Sequence, residues 1–370
     1  MNTRAKGPPD AVLMFATMAL ICLGLVMIFS ASAVTASQKF DDGAYHFIKR
    51  QFIWSIVGFV AMFITMKIDY ALVRRWIPGA LIVAVLFLLV VFIPGMGIDA
   101  KGATRQISLG GMINFMPSEL SKVCLVIFLA RFLADRIDQI HDLWSGFIPP
   151  MLIAGGICGL VMLGRDLGTT MVIAFTVGML LFAAGGQMKH LVTAGAGALA
   201  ALIAAIVLEP FRFKRIMAFM DPMKYADTTG FQIIQSLYAL GSGGLFGVGL
   251  GRSRQKFFWL PEQHTDFIFA ILGEELGLIG VMLLLTLFFF FAWRGYRIAL
   301  KAPDTFTSLL ATGLTTMILF QALLNMGVVS GSLPVTGVPL PFISYGGSSL
   351  LLNMISVGLL LNISRYASLK

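Results

Sequence analysis

The run FIFAILGEELGLIGVMLLLTLFFFFAW, residues 267–293, decides the fold. Apart from Glu274 and Glu275 it carries no charge, and about 20 such residues already cross a hydrocarbon core about 30 Å thick. An ionisable residue inside a span costs about 2.5–3.5 kcal/mol on insertion scales and is a functional candidate by default. Two adjacent acids, roughly two turns in, are therefore hard to explain as packing.

Comparable runs recur on both sides of this one. They predict ten spans, near 11–34, 50–66, 77–97, 118–134, 145–163, 168–186, 190–208, 267–293, 306–329 and 343–363. The fold class expected is an all-α polytopic transmembrane protein with a single membrane domain over 1–370. Composition agrees, with 58% hydrophobic and 12% charged residues in a chain of 370, against roughly 25% charged in soluble domains. Trp54, Trp76, Trp144, Trp259 and Trp293 all fall at or near predicted span ends, as an aromatic belt requires. Ala31-Ser-Ala33 resembles a cleavage site, but the run before it exceeds a signal h-region, so an uncleaved first span is expected.

The net charge of +9 points to anionic partners, and membrane lipids are the plainest ones. No basic stretch interleaved with aromatics lies on a soluble face, so nucleic acid is not expected as a partner. Cys22, Cys124 and Cys158 all lie in apolar runs without CxxC spacing, and the four histidines are scattered. No metal site is expected from them. Basic residues of the short loops favour both termini in the cytoplasm. One long segment, about 209–263, breaks that trend with Arg212, Lys214, Arg215, Lys224, Arg252, Arg254 and Lys256, and is expected to be a large extracytoplasmic loop. Loops of that length are uncommon unless functional or disordered.

Several residues could carry chemistry. Glu119 and Lys122 stand three apart on one helical face, either as a self-satisfying ion pair or as part of a cavity. Asp166 follows Arg165 between two spans. Asp266 is placed at the opening of the eighth span, at the membrane boundary, where partial desolvation suits a general base; a charge favoured by the helix dipole would look the same. Asp266 and Glu274 or Glu275 are separated by about 12–13 Å of helical rise. Paired glycosidase carboxylates stand about 5 Å or about 6.5–9.5 Å apart, so a single base is expected. The glycines of 241–251 lack a βαβ unit, which removes the dinucleotide reading and leaves close backbone approach or loop mobility. Arg212, Lys214, Arg215, Arg252 and Lys256 flank them and could hold a pyrophosphate or lipid headgroups. Residues 333–349, with Ser344 and Tyr345, should line a cavity or a close helix contact. These features fit a transporter or an enzyme acting on a lipid-linked substrate.

The motifs separate those classes. Leu260-Pro-Glu-Gln-His-Thr-Asp-Phe-Ile-Phe-Ala270 with Gly273-Glu-Glu-Leu-Gly277, and Pro339-Leu-Pro-Phe-Ile-Ser-Tyr-Gly-Gly-Ser-Ser349, resemble the hallmarks of the SEDS family (shape, elongation, division, sporulation). Residues 235–251, Pro117-Ser-Glu-Leu-Ser-Lys122 and Asp166-Leu-Gly-Thr169 are similar to further family segments, in family order. The resemblance implies a peptidoglycan glycosyltransferase of the bacterial cytoplasmic membrane that polymerises lipid II with inversion, with a class B penicillin-binding protein as partner. It implies Asp266 as the essential acid, Arg105 and the basic residues above as substrate contacts, and Glu119 and Lys122 beside the substrate. It also implies Asp166, Glu274, Glu275, Ser344 and Tyr345 around the cavity. No cofactor is evident, and a divalent cation such as Mg2+ stays open. Arg165 stands where many members have proline. Phe29-Ser-Ala-Ser-Ala33 is closer to the FtsW and SpoVE branches and Pro334–Pro339 to RodA. The balance tips to FtsW and septal synthesis, with RodA-like elongation or lipid II flipping as alternatives.

Overall fold

The computed structural model describes residues 7–40, 42–93, 97–100, 103–109, 113–257 and 259–367. Each predicted span is a helix: α1 Ala11–Lys39, α2 His46–Lys67, α3 Tyr70–Val90, α4 Pro117–Asp135, α5 Ile148–Leu163, α6 Leu167–Ala183 and α7 Met188–Val207. After α8 Pro210–Met220 and α9 Phe231–Gly243 follow α10 Ile268–Leu300, α11 Thr305–Val329 and α12 Gly347–Ser364. Among the described residues eight helices are long and apolar enough to cross a membrane, so this is an integral membrane protein with an all-α fold. Of the remaining predicted spans, α6 is 17 residues long, and α4 is diluted by Glu119, Lys122, Arg131 and Asp135.

Three expectations change. The 209–263 segment is not a plain loop, because α8 and α9 occupy it. Pro210 starts α8 at a position where its missing N–H is harmless. α9 buries Ile233, Ile234 and Ala239 and packs on α10. Between α3 and α4 lies an antiparallel sheet of β1 Gly97–Ala100, β2 Ala103–Leu109 and β3 Ile113–Phe115, in the order β1-β2-β3, where only a short loop is expected. The last span begins at Gly347 rather than 343, since residues 343–346 form a turn and Gly346, with φ 168° and ψ 98°, is not helical.

The most enclosed helices are α11 and α12. α11 packs on α4, α6 and α10, while α12 lies along α2. At Gly358 an added Cβ would stand 2.5 Å from the Met62 carbonyl, so glycine is what lets these backbones meet, as in other lipid-embedded interfaces. By contrast α7 buries none of its residues.

The candidate active site around Asp266

Asp266 does not open the helix. It ends a tight turn, Glu262–Asp266, one residue ahead of the α10 N-cap Phe267. Glu262 has a φ of 58°, and its carboxylate accepts the Thr265 hydroxyl at 2.7 Å. This turn is clasped by the second motif. The Tyr345 amide donates to the His264 carbonyl at 2.9 Å, and the Ser344 hydroxyl donates to the Thr265 carbonyl at 2.6 Å. Asn325 of α11 donates its amide at 2.7 Å to both the Asp266 and the Val338 carbonyls. The His264 ring sits 4.4 Å from Phe47 and 5.8 Å from Tyr345, centroid to centroid. Asp266 itself is half-buried. Burial holds the Tyr345 phenol above its usual range, although Arg50 works against the shift. It therefore stays a neutral hydroxyl at working pH.

Behind this clasp runs a buried polar network. Lys122 donates to Glu119 at 3.0 Å and also to Gln321. Glu119 accepts Ser349 at 3.0 Å, and Gln321 donates to the Pro339 carbonyl at 3.0 Å. Glu119 and Lys122 are each 1% exposed, so the self-satisfied ion pair is what the structure contains and neither lines an open cavity. Asp166 caps α6 through the Thr169 amide at 3.1 Å and accepts Ser118 at 3.2 Å. Gln321 and Asn325, four apart on one face of α11, went unread in the sequence. Amides inside an apolar span were the available signal.

Glu274 and Glu275 do not line a cavity either. Each is 1% exposed. The backbone of α10 breaks just after them at Gly277, with φ 65° and ψ −163°. The glycine stretch repairs the break. Val248 and Gly249 amides donate to the Glu274 and Glu275 carbonyls at 3.0 and 3.1 Å, while Leu278 and Ile279 amides donate to Gly244 and Leu245 at 2.9 and 3.2 Å. A Cβ at Gly247 would lie 2.1 Å from the Glu275 carbonyl oxygen. Of the two expectations for these glycines, close backbone approach is the one observed. Asp266 lies outside α10, so helical rise does not measure its distance to the two glutamates. What argues against a carboxylate pair is that Glu274 and Glu275 are buried and bonded to Ser253, Lys256 and Ser30.

The basic candidates divide into three groups. Lys256 is 4% exposed and bonded to Glu275 at 3.1 Å, which corrects its reading as a pyrophosphate ligand: its charge is spent inside. Lys214 and Arg252 are exposed, and Arg212 and Arg215 are half-buried. Arg212 donates to the Ala205 and Met162 carbonyls, both at 3.1 Å. Burial lowers its proton affinity, partly offset by Glu209. Arg215 donates to Val335 at 3.2 Å and lies over the Phe211 ring. With Arg165, which pairs with Glu209 at 3.7 Å, they line a small cleft of about 80 Å³ between α6, α7, α8 and residues 334–336. Arg105 lies in β2, with its side chain outside the described residues.

Known proteins resemble this chain in sequence and in fold. The chain is 46% identical to stage V sporulation protein E of Bacillus subtilis (strain 168), over 99% of each chain. It is 44% identical to the probable peptidoglycan glycosyltransferase FtsW of Trichlorobacter lovleyi, over 96% of this chain and 93% of that one. Among solved structures, a chain of a peptidoglycan synthase complex matches with a TM-score of 0.81 and 30% identity, covering 98% of this chain and 99% of the other. The rod shape determining protein RodA of Thermus thermophilus matches at 0.72 and 29%, covering 98% of both. The sequence pattern of the FtsW/RodA/SpoVE cell cycle proteins spans residues 11–369, and the chain therefore belongs to that family.

Proposed function

We propose that this protein is a peptidoglycan glycosyltransferase that polymerises lipid II into glycan strands, in the FtsW manner for the septal wall. The observation that carries the reading is the turn ending in Asp266, which α11, through Asn325, and the Ser344–Tyr345 segment hold half-buried just ahead of α10. Asp266 takes the proton from the 4-hydroxyl of the acceptor sugar as that oxygen attacks the anomeric carbon of the donor. The bond to undecaprenyl pyrophosphate breaks, the configuration inverts, and the leaving group departs as an anion. Arg212, Lys214, Arg215 and Arg252 are the cations offered to it, because guanidinium forks match phosphate oxygens. Glu274 and Glu275 are engaged elsewhere, which supports one base rather than two. Among the described residues no three His, Cys, Asp or Glu side chains group so as to hold a metal ion.

The membrane is read as the bacterial cytoplasmic membrane, with both termini inside and residues 209–263 outside, on the charge bias of the short loops. A class B penicillin-binding protein is read as the partner, supported by the likeness to a chain of a synthase complex that coordinates polymerization and crosslinking. The experiment is direct. The purified chain, with and without that partner, is incubated with lipid II and the products are resolved by size. Glycan strands are expected; lipid II recovered intact in both arms contradicts the reading.

A further inference from the structure

The segment Arg252-Ser-Arg-Gln-Lys256 is sorted by the two acids of α10. Ser253 and Lys256 are buried, whereas Arg252 and Arg254 are exposed. The Glu274 carboxylate accepts the Ser253 hydroxyl, the Arg254 amide at 2.8 Å and the Gln255 amide at 3.4 Å. Glu275 accepts the Ser253 amide at 3.3 Å and the Lys256 ammonium at 3.1 Å, and Ser30 of α1 donates to it at 2.6–2.7 Å. Both acids sit on the last helical turn before the Gly277 break, on backbone already locked to the glycine stretch. The loop is thus fixed to a rigid frame through its backbone and its inward side chains, and only its arginines are left outside.

We propose that Glu274 and Glu275 are positioning residues that draw Ser253 and Lys256 inward and so present Arg252 and Arg254, as a pair, to the phosphate groups of the substrate. The inference rests on the polymerase reading above. It takes Lys256 out of the phosphate-binding set and brings Arg254 in. A backbone ordered in advance matters because ordering it on binding would weaken affinity.

The sign of one substitution separates positioning from simple electrostatics. Glu275→Gln removes a negative charge close to two arginines. Acting through the field alone, it would tighten binding of an anionic substrate and lower KM. Positioning predicts the reverse. Lipid II titrations at two ionic strengths, on the full chain with its partner, should show KM raised about threefold to tenfold and kcat changed less than about twofold. The salt dependence should flatten, as it should for Arg252→Gln and Arg254→Gln. Because Glu275→Gln strands a buried ammonium and could fail to fold, the double variant Lys256→Met/Glu275→Leu removes both charges together. Its folded yield should return while its KM stays raised. A KM at or below wild type in folded Glu275→Gln overturns the positioning role, and so does a wild-type KM in the double variant. Arginine variants with wild-type KM and salt slope overturn it as well. A wild-type chain that makes no strands overturns the polymerase reading and this inference with it, whereas the other failures occur in an active enzyme.

Discussion

Single side chains hold this site together more than they line it. Asn325 spans two buried carbonyls, those of Asp266 and Val338. Asn325→Leu keeps the volume but removes both bonds, and each stranded polar group costs about 1–3 kcal/mol. A lower unfolding temperature is expected, together with a loss of polymerisation larger than the loss of folded protein. Activity that simply tracks folded yield would show that Asn325 supports the fold without aiming the turn. Lys122 and Glu119 form the other test at this scale. Lys122→Met alone leaves Glu119 as an unpaired buried charge, at a cost of about 3–5 kcal/mol. The double change Lys122→Met/Glu119→Leu should recover much of that stability, as thermal unfolding in detergent would show. Asp266 was readable because its motif is local in sequence. The roles of Glu274 and Glu275 were not, since the groups they bind lie about twenty residues upstream and on α1, which periodicity does not reveal.

At the scale of elements, α10 and the glycine stretch act as one unit. The helix breaks at Gly277, and the four backbone groups left there are met by residues 244–249. Gly247 has a φ of 77° and no space for a Cβ. Gly247→Ala must lift the stretch off α10, so a loss of stability well above the usual 1 kcal/mol or so of a glycine change is expected. Gly241→Ala, inside α9 and with nothing within 4 Å of an added Cβ, should leave the unfolding temperature unchanged or slightly raised, since alanine is the better helix former. Equal effects at the two positions would contradict the interlock. Eight of the spans were legible because each is an apolar run long enough to cross a bilayer, and α4 and α6 because they are still mainly apolar runs. α8 and α9 were hidden because Arg212, Lys214, Arg215 and Lys224 made their surroundings read as a hydrophilic loop, and the residues α9 buries, Ile233, Ile234 and Ala239 among them, do not repeat on one helical face. The three short strands between α3 and α4 carry too few residues for a period of two to stand out.

Across the whole molecule, α11 and α12 form the enclosed centre, while α7 buries none of its residues and turns most of them outward. Such outward helix faces can meet lipid or another span, and close packing decides between them. Co-expression with a class B penicillin-binding protein should yield a complex that survives detergent extraction and polymerises lipid II faster than the chain alone. Failure to co-purify, with full activity alone, would remove the partner from the account. All of these arrangements converge on one carboxylate, half-buried in a turn that α11 and the 344–345 segment hold. The most direct measurement is the rate of glycan strand formation from lipid II by Asp266→Asn, a variant that keeps the turn's hydrogen bonds through its main chain. A fall of at least 10²–10⁴-fold, the range typical of lost acid–base catalysis, is expected with unchanged folding and substrate binding. A rate within about tenfold of wild type, below that range, would contradict the account.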